Sequence, residues 1–162
     1  DAGVISSDYG IGSQVPLSDL LNDLIIYSDN DAGHILYENL GGWKEYKEAM
    51  TKYTDSISEN YYTMDNVTTA NTMNDVVTYL YDHKEDYKGL IKNMEKAEPG
   101  EYLDRDTQLS MPQKYGMYDY ALNSVGFVEC NTSYSIVVLT SLGDKGADVM
   151  ANINRIAYEH FK

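Results

Sequence analysis

The sequence predicts an α+β fold: a mostly helical half, then an antiparallel sheet meander and a C-terminal covering helix. Three observations carry this. Apolar residues recur at helical spacing through the first part of the chain. Near residue 109 the pattern changes to short runs rich in β-branched and aromatic residues, bounded by turn signals. After Gly146 helical spacing returns, which provides a layer for the sheet to pack against.

Residues 1–15 are rich in Gly and Ser and read as loop. Pro16 opens the first helix, where its missing N–H costs nothing, and Leu17, Leu20, Leu21, Leu24 and Ile25 share one face. Ser28-Asp29-Asn30 interrupts with residues that favour turns and caps. A second helix turns Ala32, Ile35, Leu36 and Leu40 inward and ends at Gly41-Gly42, a left-handed terminus. A third, from Trp43 to about Tyr53, buries Trp43, Tyr46 and Met50. Residues 54–68 have no period and form a polar loop. Thr69 or Asn71 caps the next helix, which presents Met73, Val76, Val77 and Leu80. Tyr87, Leu90, Ile91 and Met94 mark another, ended by Pro99-Gly100.

Two strands follow, 109–115 and 118–128, with Gly116-Met117 between them. Glu129-Cys130-Asn131-Thr132 then turns the chain into a third, Tyr134 to Ser141. Its Ile136-Val137-Val138-Leu139 centre is apolar on both faces, so both sides of the sheet need cover. The last helix, Gly146 to Phe161, offers Met150, Ile153, Ile156 and Ala157 to one side; the other calls for protein beyond this chain. The expected division is a partial helical subdomain at 1–108 and a partial sheet-plus-helix subdomain at 109–162.

Composition narrows the function classes. With 26 acidic and 12 basic residues the net charge is −14, which repels phosphates and anionic lipids and argues against nucleic-acid partners. No apolar run approaches the roughly 20 residues of a membrane-spanning helix. The single cysteine, Cys130, excludes an internal disulfide framework and a multi-cysteine metal site. Nothing at the N-terminus has the form of a signal peptide, so any export signal is expected upstream or already removed.

Two tripeptides stand out by their order and placement: Ser28-Asp29-Asn30 between two helices, and Lys114-Tyr115-Gly116 at the end of the first strand. Alone, the first is a helix cap and the second an edge-protecting charge. Their surroundings add weight. Leu17-Ser18-Asp19-Leu20-Leu21, leading through Ile25-Ile26-Tyr27 to Ser28-Asp29-Asn30, resembles the helix-turn-helix around the Ser-x-Asn element of the penicillin-binding protein and class A β-lactamase superfamily. Thr68-Thr69-Ala70 resembles the segment after the Ω-loop of class A enzymes. Lys114-x-Gly116, Val125-Gly126-Phe127-Val128, Ile136-Val137-Val138-Leu139 and residues 146–161 resemble the final three strands and terminal helix. The resemblance runs from about residue 15 to the end.

It implies a β-lactamase/transpeptidase-like fold and a serine acyl-transfer chemistry that needs no cofactor or metal. In that family a serine activated by a lysine one helical turn later attacks an amide or lactam carbonyl. Ser28 and Lys114 would be the catalytic residues of this chain. Ser28 would relay a proton to the leaving amine, while Lys114 attracts the substrate carboxylate and poises the relay. Asn30, Tyr115, Gly116 and Met117 would bind substrate. The Asn30 amide holds a side-chain amide, Gly116 leaves room for strand addition, and the Met117 N–H forms half of an oxyanion hole. The implied partner is a β-lactam or peptidoglycan-type peptide, in a bacterial extracytoplasmic setting.

Three departures qualify this. No Ser-x-x-Lys occurs: Ser110 and Ser141 precede Lys114 and Lys145 by four positions, and only 27 residues stand before Ser28. The nucleophile helix and first strands are therefore expected in a missing N-terminal segment or a complementary chain. Tyr115 replaces the Thr or Ser whose hydroxyl binds the substrate carboxylate. Loop 54–68 lacks the Glu-x-x-Leu-Asn that positions a deacylating water; Glu59 has the wrong neighbours. A non-catalytic descendant that keeps the fold for binding or scaffolding is the competing reading, and a domain whose turns are only caps is a third. His34, Cys130 and the Asp29/Asp31/Gly33 cluster read as structural, since none has partners at ligand spacing.

Overall fold

The computed structural model describes residues 3–162. Its helical half comprises α1 (Val4–Asp8), α2 (Leu17–Tyr27), α3 (Asn30–Asn39), α4 (Trp43–Met50), α5 (Ala70–Asp82) and α6 (Lys88–Met94). The loop expected at 1–15 contains the short helix α1. Gly and Ser do not favour it locally; distant groups hold it. Ile5 is 2% exposed, its N–H donates to Asp29 Oδ2 at 2.9 Å, and Gly3 N–H donates to Asp31 Oδ2 at 3.2 Å. Tertiary anchoring overrides weak propensity here.

Pro16 caps α2 and Thr69 caps α5, its hydroxyl accepting the Thr72 N–H at 3.1 Å. The left-handed Gly41 and Gly42 (φ 99° and 86°) separate α3 from α4. Helix α4 ends at Met50, short of the expected Tyr53, and its buried residue is Lys47; Trp43, Tyr46 and Met50 are half-buried. Leu17, Leu21 and Leu40, expected in the core, are 61%, 38% and 55% exposed. They line an open groove of about 800 Å³ with Leu24, Leu36 and Trp43.

The sheet has strand order β1-β2-β3, formed by β1 (Gln113–Tyr118), β2 (Ala121–Val128) and β3 (Tyr134–Thr140), all antiparallel. The first turn lies at Asp119-Tyr120, not at Gly116-Met117. Asp119 takes the left-handed conformation (φ 53°) that Asp tolerates in tight turns. Gly116 is an extended mid-strand residue paired with Asn123, so glycine alone misplaced the turn.

One sheet face carries Leu122, Val128, Ile136 and Val138, which pack with Leu103, Met111 and Met150 into the main core. Helix α7 (Lys145–Phe161) covers that face with Gly146, Met150, Ala151 and Asn154 buried. Its phase differs from expectation: Ile153 and Ile156 are 42% and 55% exposed. Gly146 permits the close approach, since a Cβ there would lie 2.7 Å from Thr140 Oγ1. On the opposite face Phe127 meets Tyr81 of α5 edge-to-face at 5.3 Å, and Ser135 donates to Asn74 of α5 at 2.7 Å. Part of the cover expected from outside therefore comes from α5 within the chain.

Candidate active site

Ser28 closes α2 in the left-handed conformation (φ 55°, ψ 38°), which a non-glycine residue adopts only when its surroundings impose it. The residue that follows, Asp29, is 4% exposed. Its Oδ1 accepts the N–H groups of Asp31 at 2.8 Å and Ala32 at 3.0 Å, capping α3, while Oδ2 accepts the Ile5 N–H. The middle residue of the tripeptide thus holds the turn, leaving Ser28 half-buried and Asn30 exposed beside it.

Lys114 reaches this turn from β1, and its ammonium donates to the Ser28 hydroxyl. The register places Lys114 opposite Val125, on the sheet face that carries Phe127 and meets α5, away from α7. Burial lowers the Lys114 pKa, with the Glu98 carboxylate opposing. The ammonium also stands 4.5 Å from the centre of the Tyr115 ring. That ring lies over Tyr102, centroids 4.5 Å apart and planes at 21°, so Tyr115 is anchored in the loop before β1.

Gly116 and Met117 are exposed on β1, an edge strand, and nothing stands within 4 Å of where a Gly116 side chain would begin. The Phe127 N–H donates to the Pro112 carbonyl at 3.3 Å. In an antiparallel ladder such pairs alternate, so the backbone N–H and C=O of Tyr115 and Met117 point to the free edge.

A cavity of about 260 Å³ opens beside these residues, between the sheet face and the loop after α4. Lys47, Asn66 and Thr68 line it together with Lys114. The Thr68 hydroxyl is buried with no hydrogen-bond partner among the described residues.

Sequence reasoning missed three supporting residues. Gln113, 1% exposed, accepts the Leu103 N–H at 2.9 Å and donates to Asp104 at 2.9 Å and to the Glu98 carbonyl at 3.2 Å. This clamps the 98–104 loop to the strand just before Lys114; no local pattern announces it. Tyr102 belongs to the same loop. Lys47 left a signal: it shares a helix face with Trp43 and Met50, a charge on an apolar stripe.

A sequence profile described as the beta-lactamase enzyme family matches residues 1–161. The chain belongs to that family. Solved structures of similar fold include the TLA-3 extended-spectrum β-lactamase, at 18% identity and a TM-score of 0.78, covering 99% of this chain and 70% of that one. A β-lactamase from Burkholderia phymatum is 16% identical, with a TM-score of 0.78 over 99% and 70% of the two chains. PBP-A, solved as an acyl-enzyme complex with penicillin G, is 15% identical, with a TM-score of 0.78 over 99% and 67%. No curated protein matches in sequence. This β-lactamase-family chain thus has the family's α+β fold, with about three tenths of each relative lacking a counterpart in it. No helix among its described residues is long and apolar enough to cross a membrane.

Proposed function

We propose that this chain forms two walls of a serine acyl-transfer hydrolase acting on β-lactam or peptidoglycan-type amides in an extracytoplasmic bacterial setting. The observation that carries this is the hydrogen bond from the Lys114 ammonium to the Ser28 hydroxyl, joining two elements far apart in sequence. A cation that burial inclines to release its proton, touching a hydroxyl, is suited to pass a proton toward a leaving amine. The same charge attracts a substrate carboxylate.

Substrate would lie along the free edge of β1, over the open Gly116, with the Met117 N–H directed at the carbonyl oxygen and the Asn30 amide meeting the substrate's side chain. The nucleophile belongs to a segment or complementary chain outside these residues. The apolar groove, the cavity beside Lys114 and the unpartnered Thr68 hydroxyl suit such a segment, with apolar groups in the groove and polar ones near Ser28. The division into helical and sheet subdomains at about residue 109 is part of this reading, the site lying between them.

One observation favours the degenerate binder as a second reading: Tyr115 is stacked on Tyr102, so no small hydroxyl stands where the family binds the carboxylate. Fluorescent penicillin labelling of the product that includes the reading frame upstream of Asp1 separates the two. The hydrolase reading expects a covalent adduct that disappears in Ser28→Ala and Lys114→Ala variants of unchanged fold. Absence of any adduct, with penicillin and with a peptide thioester acyl donor alike, leaves the binder.

A further inference from the structure

Lys47 is a charged side chain for which the proposed chemistry has no use, and it is 4% exposed. An ammonium leaves water at high cost unless its N–H groups find strong acceptors. No salt-bridging carboxylate serves Lys47 among the described residues. Its Nζ donates instead to two backbone carbonyls, Tyr61 at 2.6 Å and Asp65 at 2.7 Å, and stands 4.9 Å from the centre of the Tyr61 ring. All three contacts fall in the segment between α4 and α5, which has no helix or strand.

The ends of that segment are tied separately. The Thr54 hydroxyl donates to Asp75 at 2.7 Å, and the Thr72 hydroxyl donates to the Ser56 carbonyl. Between Ile57 and Val67 the segment's own hydrogen bonds are short-range turns. Among the described residues, the hydrogen bonds from the rest of the protein to this middle part all meet at Lys47: two from its ammonium, and a longer one in which its backbone carbonyl accepts the Tyr61 hydroxyl at 3.5 Å. A structureless run of this length keeps one conformation only when something outside it supplies the contacts. The consequence reaches the site, because Asn66, Val67 and Thr68 line the cavity that Lys114 also lines.

We propose that Lys47 is a positioning residue: its ammonium gathers the Tyr61 and Asp65 carbonyls and so sets the loop that walls the cavity beside Lys114. Its link to catalysis rests on the hydrolase reading; its grip on the loop does not.

Amide hydrogen exchange on the 162-residue chain tests it. In Lys47→Met, which keeps an unbranched four-atom stem and removes every donor, amides between Asn60 and Val67 exchange at least about tenfold faster, while those of α5 and β2 keep their rates. In Lys47→Ala, added propylammonium restores the loop's protection and the same concentration of sodium chloride or propanol does not, because the two carbonyls await a cationic donor of that shape. Loop exchange unchanged in Lys47→Met overturns the proposal. So does simultaneous loss of protection in α4, α5 and the loop that propylammonium fails to reverse, since Lys47 would then be general packing. Either result leaves penicillin labelling of the extended product unaffected, so the two readings fail separately.

Discussion

The Lys114 ammonium meets one serine hydroxyl and one tyrosine face, and neither neutralises it. Burial therefore lowers its pKa, while Glu98 pulls the other way. A lysine in the unfolded chain titrates near 10.4, so between the native and unfolded values the unfolded state binds more protons. Stability contributed by this group thus rises with pH through the native value, levels off above the unfolded one, and is lost as pH falls. Lys114→Met is expected to flatten that alkaline rise, read as urea midpoints from about pH 8 to about pH 10.5; an unchanged slope would remove Lys114 as its source. The meeting of Ser28 and Lys114 could be anticipated because each sits in a tripeptide that stands out by its order. Gln113 was not, because its partners, Leu103, Asp104 and Glu98, meet it only after the loop folds back.

At the scale of elements, the turn between α2 and α3 depends on a single carboxylate. Asp29 caps α3 and also anchors α1, so one substitution should loosen both helices. Asp29→Ala removes a cap worth about 1 kcal/mol and orphans the buried Ile5 N–H. The expected loss is about 2–3 kcal/mol, with α1 amides exchanging first; a loss below about 0.5 kcal/mol would contradict this account. Helix order and the Thr69 cap were readable from periodicity and capping residues. Helix phase was not, where burial depended on neighbours. On α7 the alternatives Met150/Ile153 and Met150/Asn154 fit the same spacing, and Asn154 faces inward because the Leu103 carbonyl and the Tyr134 hydroxyl satisfy its amide. Burial there pushes the Tyr134 phenol up to about 12. Likewise Leu17 and Leu21 have the right spacing for a core, but no element of the described chain covers them.

For the whole molecule, the α+β order and the three-stranded meander followed from the change of period near residue 109, and family membership agrees with both. What stayed illegible was the partition of cover over the second sheet face, which depends on how far α5 reaches across β2 and β3. The net charge of −14 also belongs to this scale. It has no evident role in holding the fold, and its effect is felt between molecules.

The strand that would receive substrate is also one of the sheet's two outer strands, with the backbone groups of Tyr115 and Met117 left open. A surface built to accept an extended guest does not discriminate against the same strand of another copy. Mutual repulsion between strongly acidic molecules keeps such copies apart at low ionic strength. Salt near about 1 M shrinks the reach of that repulsion to about 3 Å. Concentrated samples are then expected to self-associate, as sedimentation velocity would read, and an acyl-donor peptide that occupies the edge should dissolve the oligomers. On the proposed reading, crowding and substrate would compete for one row of hydrogen bonds, and acidity would keep that row open.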